Sequence, residues 1–191
     1  IKLGFFNSFQ GAFAVRADNG FLTEPDKFDH EYITSDDVIK IENGVAQNGT
    51  NPTRFAKIFE AVFAKHKDVG AVSVSSSTSA MAFAVTHAEL DSKTIPESYI
   101  MMREVKRISL EDFLANPNIV AEHLCVKTPV VIVDNAFVFT AGVNITKCFD
   151  SMEVTEFTAK NIIDGLSLKN VSTIKKISSE QVAELKKEFN L

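Results

Sequence analysis

Asn-Gly occurs twice early in the chain, at Asn19-Gly20 and Asn43-Gly44, each time between short apolar runs. A two-residue hairpin turn needs positive φ at its central positions, which Asn and Gly accept and branched residues resist. Phe13 to Ala17 with Phe21 to Thr23, and Val38 to Glu42 with Val45 to Gln47, are therefore expected as two antiparallel hairpins. A third follows where Val130 to Val133 and Ala136 to Phe139 flank Asp134-Asn135. Pro129 stands at its strand start, where a missing N–H does no harm. Between the first two hairpins runs an acidic stretch, Glu24 to Asp37. It lacks the alternating acidic spacing of a calcium loop and reads as a solvated connection.

The periodicity changes after Pro52, which suits the first turn of a helix. Phe55, Ile58, Phe59, Val62 and Phe63 form one apolar stripe at helical spacing, with Arg54, Lys57, Glu60 and Lys65 between them. Lys65, His66 and Lys67 cluster at the expected C-terminus, where cations complement the helix dipole. Gly70 to Ser75 reads as a strand, and Ala80 to Val85 as a helix apolar nearly all round, hence buried on both sides. Met101 to Ile108 mixes apolar and charged residues like an edge strand. Ser109 to Asp112 has capping spacing for a short helix, and Ser178 to Gln181 is a capping box for a last one ending near Phe189. A long helix is expected from Asn144 or Thr146 to about Asp164, stopped by Gly165. Hairpins alternating with helices imply a single α/β domain over residues 1–191, one mixed sheet covered by helices on both faces.

The 20 Lys and Arg against 25 Asp and Glu leave a formal charge of −5, which argues against a nucleic-acid or anionic-membrane surface. No apolar run approaches the roughly 18 residues of a membrane span, and no basic-then-apolar leader opens the sequence. Two cysteines, Cys125 and Cys148, make no disulfide framework. They read as core thiols in a reduced, cytoplasmic setting.

None of the four histidines, His30, His66, His87 and His123, has metal-ligand spacing. His66 and His87 fall near helix ends and read as surface residues. His123 and Cys125, two apart, would share one strand face, but two ligands do not make a closed zinc site. The run Ser73-Val-Ser-Ser-Ser-Thr-Ser79 lies at a strand-to-helix junction and admits two readings. Either Ser75, Ser76, Ser77 and Thr78 join free backbone N–H groups to hold a small anion, or one of Ser76, Ser77 and Thr78 is the N-cap and the rest satisfy nearby backbone. No histidine adjoins them, so a serine nucleophile lacks a base.

Several segments, in order, resemble the class II aldolase/adducin family: Phe9-Gln-Gly-Ala-Phe-Ala-Val-Arg16, Thr34-Ser-Asp-Asp-Val38, Asn51-Pro-Thr-Arg54 with its helix, and Asp68 to Val74. Pro129 to Gly142, Cys148 to Glu156, and Ile177 to Gln181 complete the set. The resemblance implies a three-layer α/β/α fold with a mixed, largely antiparallel sheet, and often a homotetramer with sites between subunits. Family members usually open with a helix of some two dozen residues. Only ten residues precede Gly11, so that helix is expected to be absent or to lie upstream of a fragment.

In enzymes of this family three histidines hold a divalent ion, commonly zinc, that polarises a carbonyl. The resemblance places those ligands on Val74, Ser76 and Ala136, none of them an imidazole. The catalytic acid/base falls on Thr50, and two phosphate-binding serines fall on Asn48 and Gly49. The Gly-Asn-x-Ser contacts become Gly11-Ala12-Phe13-Ala14. The phosphate loop corresponds to Thr23-Glu24-Pro25-Asp26, whose carboxylates repel phosphate. The expectation is thus a metal-free, non-catalytic relative acting by assembly or partner binding, as the adducin branch illustrates. It would be a homo-oligomer such as a tetramer, with a protein partner or small anionic ligand. The rivals are a sugar-phosphate lyase with a relocated site, and a small-anion-binding module.

Overall fold

A computed structural model describes residues 4–6, 10–170 and 172–191, with the side chain of Asn48 also outside the description. The strands are β1 (Ala12–Ala17), β2 (Gly20–Thr23), β3 (Ile39–Glu42), β4 (Val45–Ala46), β5 (Ala71–Ser75), β6 (Lys106–Ile108), β7 (Val130–Val133) and β8 (Phe137–Gly142). They form a single sheet in the order β4-β3-β2-β1-β5-β8-β7-β6. Every pairing is antiparallel except β6 with β7. The helices are α1 (Ala56–Lys65), α2 (Thr78–Ala84), α3 (Pro96–Met102), α4 (Leu110–Ala115), α5 (Val120–His123), α6 (Ile145–Leu166) and α7 (Ser179–Glu188).

Two apolar clusters, one on each face, make this the expected three-layer α/β/α arrangement. The first joins Ala12, Ala14, Phe21, Val72, Val74 and Phe139 to Phe59, Val62 and Phe63 of α1, Phe113 of α4 and Val120 of α5. The second joins Val130, Ile132 and Val138 to Phe83 of α2, Met102 of α3, and Ala159 and Ile162 of α6. Alternation of side chains across each strand feeds both.

All three hairpins form, with differences in their turns. Asn43 and Gly44 both take positive φ, 50° and 76°. In the first hairpin the pairing of Ala17 with Gly20 makes Asp18-Asn19 the turn. Gly20 instead sits in β2, where a Cβ would lie 1.8 Å from the carbonyl oxygen of Ile41, so its role is close strand approach. The third turn holds three residues, Asp134 to Ala136, since Val133 pairs with Phe137.

The stripe on α1 is buried as expected, but the helix starts at Ala56. Pro52 instead pairs with Pro25 in an isolated bridge, and Thr53 N–H donates to Glu24 O at 3.0 Å. At the other end a residue from β1 satisfies the last carbonyls. Arg16 donates to Phe63 O and His66 O at 2.9 and 2.7 Å, and to Val69 O at 2.8 Å. His66 bonds Ala121 O at 2.8 Å, and Lys65 pairs with Glu122.

Met101 and Met102 belong to α3, which Pro96 opens; only Lys106 to Ile108 are the edge strand. Tyr99 and Met102, three apart, are both buried, a helical pair too short to stand out from strand alternation. The caps at Ser109, Asn144 and Ser178 form. Gly165 does not end α6, which runs to Leu166; its missing side chain leaves room for Ile174. Ala80, Phe83 and Ala84 of α2 are buried, whereas Val85 lies beyond the helix and is exposed. His123 ends α5 and Cys125 stands in a bridge with Thr128, so they share no strand face. Cys148 is buried and Cys125 half-buried; both are free thiols.

Candidate functional site

One end of the sheet gathers most of the residues singled out by sequence. Ala12 at the start of β1 pairs with Val74, and Ser75 near the end of β5 pairs with Val138 of β8. The tips of β1, β5 and β8 and the N-terminus of α1 therefore meet at one edge. Gly11 is required there: it holds a φ of 113°, and a Cβ would collide with the Phe6 ring and reach 3.1 Å from Val74 O. Phe9, which opens the resembling segment, lies outside the described residues.

At this edge, of the three positions that the resemblance assigns to metal, Val74 is in the core, Ala136 is half-buried against it and Ser76 is half-buried outside it. Val74 is fully buried among Phe55, Phe139 and Ala12, with Ala136 and Phe137 packed against the same cluster. The Phe55 and Phe137 rings meet edge to face at 5.0 Å, and Phe113 and Phe139 lie 6.2–6.4 Å from Phe137 or from each other. Arg54 caps this stack, its guanidinium 4.9 and 5.3 Å from the Phe55 and Phe137 rings. Ser76 donates to Gln10 Oε1 at 3.2 Å. Zinc takes imidazole, thiolate or carboxylate donors; a valine, an alanine and a serine engaged with an amide do not fit it. Among the described residues no group of three His, Cys, Asp or Glu side chains comes together as a metal site.

Thr50 follows the short turn Gln47–Gly49, and its hydroxyl stays well above the pKa range of a base at neutral pH. Ser77 is the N-cap of α2, buried, and its hydroxyl caps no helix amide. Ser75 Oγ is buried without a partner. Thr78 is exposed in the first turn. The amides expected to meet an anion already meet one. Ser79 N–H donates to Glu156 Oε1 and Oε2 at 2.9 and 3.0 Å, and Ala80 N–H to Oε2 at 2.9 Å. Burial acts to raise the Glu156 pKa, but the Ala80 and Ser79 amides, with the Ser79 and Ser77 hydroxyls, outweigh it and hold it below the usual value. Any free anion would have to displace this carboxylate.

Beside the aromatic stack lies a cleft of about 540 Å³ between Gln10, Gly11, the segment Glu24 to His30, and Thr53 to Phe55. Its wall is fixed by backbone bonds from Thr53 N–H to Glu24 O and from Asp26 N–H to Asn51 O, at 3.0 and 2.9 Å. The acidic stretch is indeed solvated at most positions, with Glu24 as the exception at 2% exposure. Thr23, its neighbour, ends β2 and donates its hydroxyl to Phe13 O at 2.6 Å, drawing the chain inward. Glu24 Oε1 meets His30 Nε2 at 3.1 Å, while Oε2 is buried with no hydrogen-bond partner. Burial raises the Glu24 pKa, opposed in part by the bond to His30, its charge, and the Phe13 backbone. Sequence reasoning missed both Glu24 and Glu156. Nothing in local spacing separates an acid drawn inward from its solvated neighbours.

A three-layer α/β/α sandwich on an eight-stranded sheet, its strand tips converging on the segments just described, defines an aldolase-like class of protein. The chain belongs to the class II aldolase and adducin N-terminal domain family, whose model matches residues 1–163. Among solved structures it is similar to YgbL from Escherichia coli, with a TM-score of 0.83 and 17% identity over 97% of this chain and 91% of that one. An L-fuculose 1-phosphate aldolase superposes with a TM-score of 0.79 at 16% identity, covering 96% and 87% of the two chains. The enzyme of that name from Glaciozyma antarctica gives 0.76 at 20% identity, covering 97% and 74%. At these identities the likeness is one of fold. No curated protein matches the sequence.

Proposed function

We propose that this chain is a non-catalytic member of its family that acts by assembly or partner binding, most simply as a homo-oligomer such as a tetramer. One observation carries the reading. At the positions that the resemblance assigns to metal ligands, Val74 is buried in the aromatic cluster and Ala136 packs against it, and neither side chain offers a donor to an ion. Apolar side chains on the surface supply a means of association: Ile145, Phe149 and Phe157 on α6 are 47%, 38% and 52% exposed. No helix among the described residues is long and apolar enough to cross a membrane. Two free thiols fit a reduced, cytoplasmic setting. A protein partner accounts for the exposed apolar residues better than a small anion held at the serine junction, where Glu156 already takes the amides.

Elemental analysis of the purified protein, an assay of ketose 1-phosphate cleavage, and light scattering after gel filtration test this reading. The expected result is zinc well below one ion per chain, no cleavage and a multimer. Stoichiometric zinc with cleavage would overturn the non-catalytic reading, and a monomer that captures no partner would overturn the assembly reading.

A further inference from the structure

We propose that the cavity beside Arg103, where β8 ends at Ala141 and Gly142, is a binding site for a short aliphatic carboxylate whose head pairs with the Arg103 guanidinium. Arg103 closes α3 with a φ of 56° and a ψ of −125°, a conformation that glycine takes freely and an L side chain resists. Two bonds hold it there: its N–H donates to Tyr99 O at 3.0 Å, and Ser92 Oγ donates to its carbonyl. Where glycine would sit with less strain, the chain carries a guanidinium instead. Its Nε donates to Ile100 O at 3.2 Å, while neither terminal nitrogen meets an acceptor among the described residues, and both are open to solvent. A backbone outlier that presents an unspent charged group points to a use beyond folding.

Arg103 borders two cavities, and charge chooses between them. In the first, an added anion meets Glu89, Asp91 and Glu104 as well as the basic side chains. The second, of about 240 Å³, has no acidic side chain in its lining. Its charged side chains are Arg103 and Lys147, and Lys147 shares its ammonium with Asp150 at 3.0 Å. Ile100, Met101, Val126, Pro129, Val143 and Phe189 make the walls apolar, and Val143 and Phe189 are each 51% exposed. Apolar walls with a few placed polar groups are the usual make-up of a small-molecule site. At roughly 30 Å³ per water the cavity equals about eight waters, enough for an acid of about five carbons and too little for a long acyl chain. The guanidinium fork matches both oxygens of a carboxylate, and the aliphatic tail covers walls that otherwise face water. An amide forfeits the charge, and an amine is repelled. Phe189 and Leu191 line the cavity from the C-terminal segment, and α7 buries no residue of its own, so a ligand there also fastens that helix to α3. The cavity lies at the opposite end of β8 from Ala136 and uses none of the positions assigned to metal, so it is independent of the non-catalytic reading.

Titration calorimetry on the native chain tests the proposal with 3-methylbutanoate and pentanoate, set against 3-methylbutanamide, butylamine and inorganic phosphate. Saturable binding of at least one acid is expected below about 10 mM, with the amide, the amine and phosphate at least about tenfold weaker, the size set by one hydrogen bond to a charged group. Arg103→Gly, which suits the positive φ, should weaken acid binding by about tenfold or more. The ¹³C-methyl resonance of Met101 should move as the acid is added, while those of Leu90, which lines the other cavity, stay still. That measurement decides the matter by itself if Arg103→Gly does not fold. No saturable binding of either acid would overturn the proposal. So would amide, amine or phosphate binding as tight as that of the acid, undiminished acid binding in Arg103→Gly, or acid binding that leaves Met101 unmoved or shifts Leu90 instead.

Discussion

Glu24 and Glu156 are the same side chain in two parts of the molecule, and their environments shift them in opposite directions. Glu156 lies on α6 across from the start of α2, where two backbone amides and nearby hydroxyls favour its charged form over the cost of desolvation. Glu24 leaves β2 for a loop wall, is buried more deeply, and receives one partner for two oxygens. Burial alone therefore does not decide the state of a carboxylate; the number of donors aimed at it does. The first acid is a structural bolt that ties the long helix to the serine-rich junction. The second is an unfilled acceptor.

Breaking the bolt has the largest expected effect. Glu156→Ala leaves the Ser79 and Ala80 amides without their acceptor and should cost about 1–3 kcal/mol in a denaturant titration. Because Glu156 is only partly buried, water can take over some of that role, and the lower half of the range is expected. A loss near zero would show that the amides are as well served by solvent.

Removing the charge at Glu24 should act the other way. Glu24→Gln keeps the shape and relieves the burial of a half-paired carboxylate, so stability near neutral pH should stay level or rise by about 1 kcal/mol. A marked loss would mean that the pair with His30 is worth more than the desolvation it offsets.

Acidification separates the two further. Glu156 has a folded-state pKa below its ordinary value, so its contribution is full above about pH 4.5 and fades as pH falls through the lowered value. Glu24 has a raised one, so its favourable contribution is full below that ordinary value and is lost as pH rises through the raised value. Chemical denaturation from pH 3 to 7 should show the two glutamine variants, Glu24→Gln and Glu156→Gln, converging on the native chain as pH falls. The gap for Glu24→Gln should close first, at the higher pH, and that for Glu156→Gln last; the reverse order would contradict the assignment.

The smallest effect is expected at Ser75, whose hydroxyl is buried without a partner. Ser75→Ala should change stability by no more than about 0.5 kcal/mol, or raise it, since no bond is lost. A larger loss would place an ordered water on that hydroxyl.

Much of this architecture was written in local pattern. Asn43-Gly44 is a turn because only residues of its kind accept positive φ twice in succession. The stripe from Phe55 to Phe63 is a helix face because no strand period fits it. The caps at Ser109, Asn144 and Ser178 follow from side chains that can reach an amide two or three residues on. That Val74 and Ala136 offer no metal donor was also legible, because a side chain without a donor is without one in any fold. What local pattern could not supply was the partner of a group distant in sequence. Arg16 closes the carbonyls of α1 from some fifty residues away, Glu156 meets amides 76 and 77 positions earlier, and Glu24 is drawn beneath a wall built from three segments. Those relations depend on which strands become neighbours in the sheet, so only the tertiary structure decided which acid became a bolt and which an open acceptor.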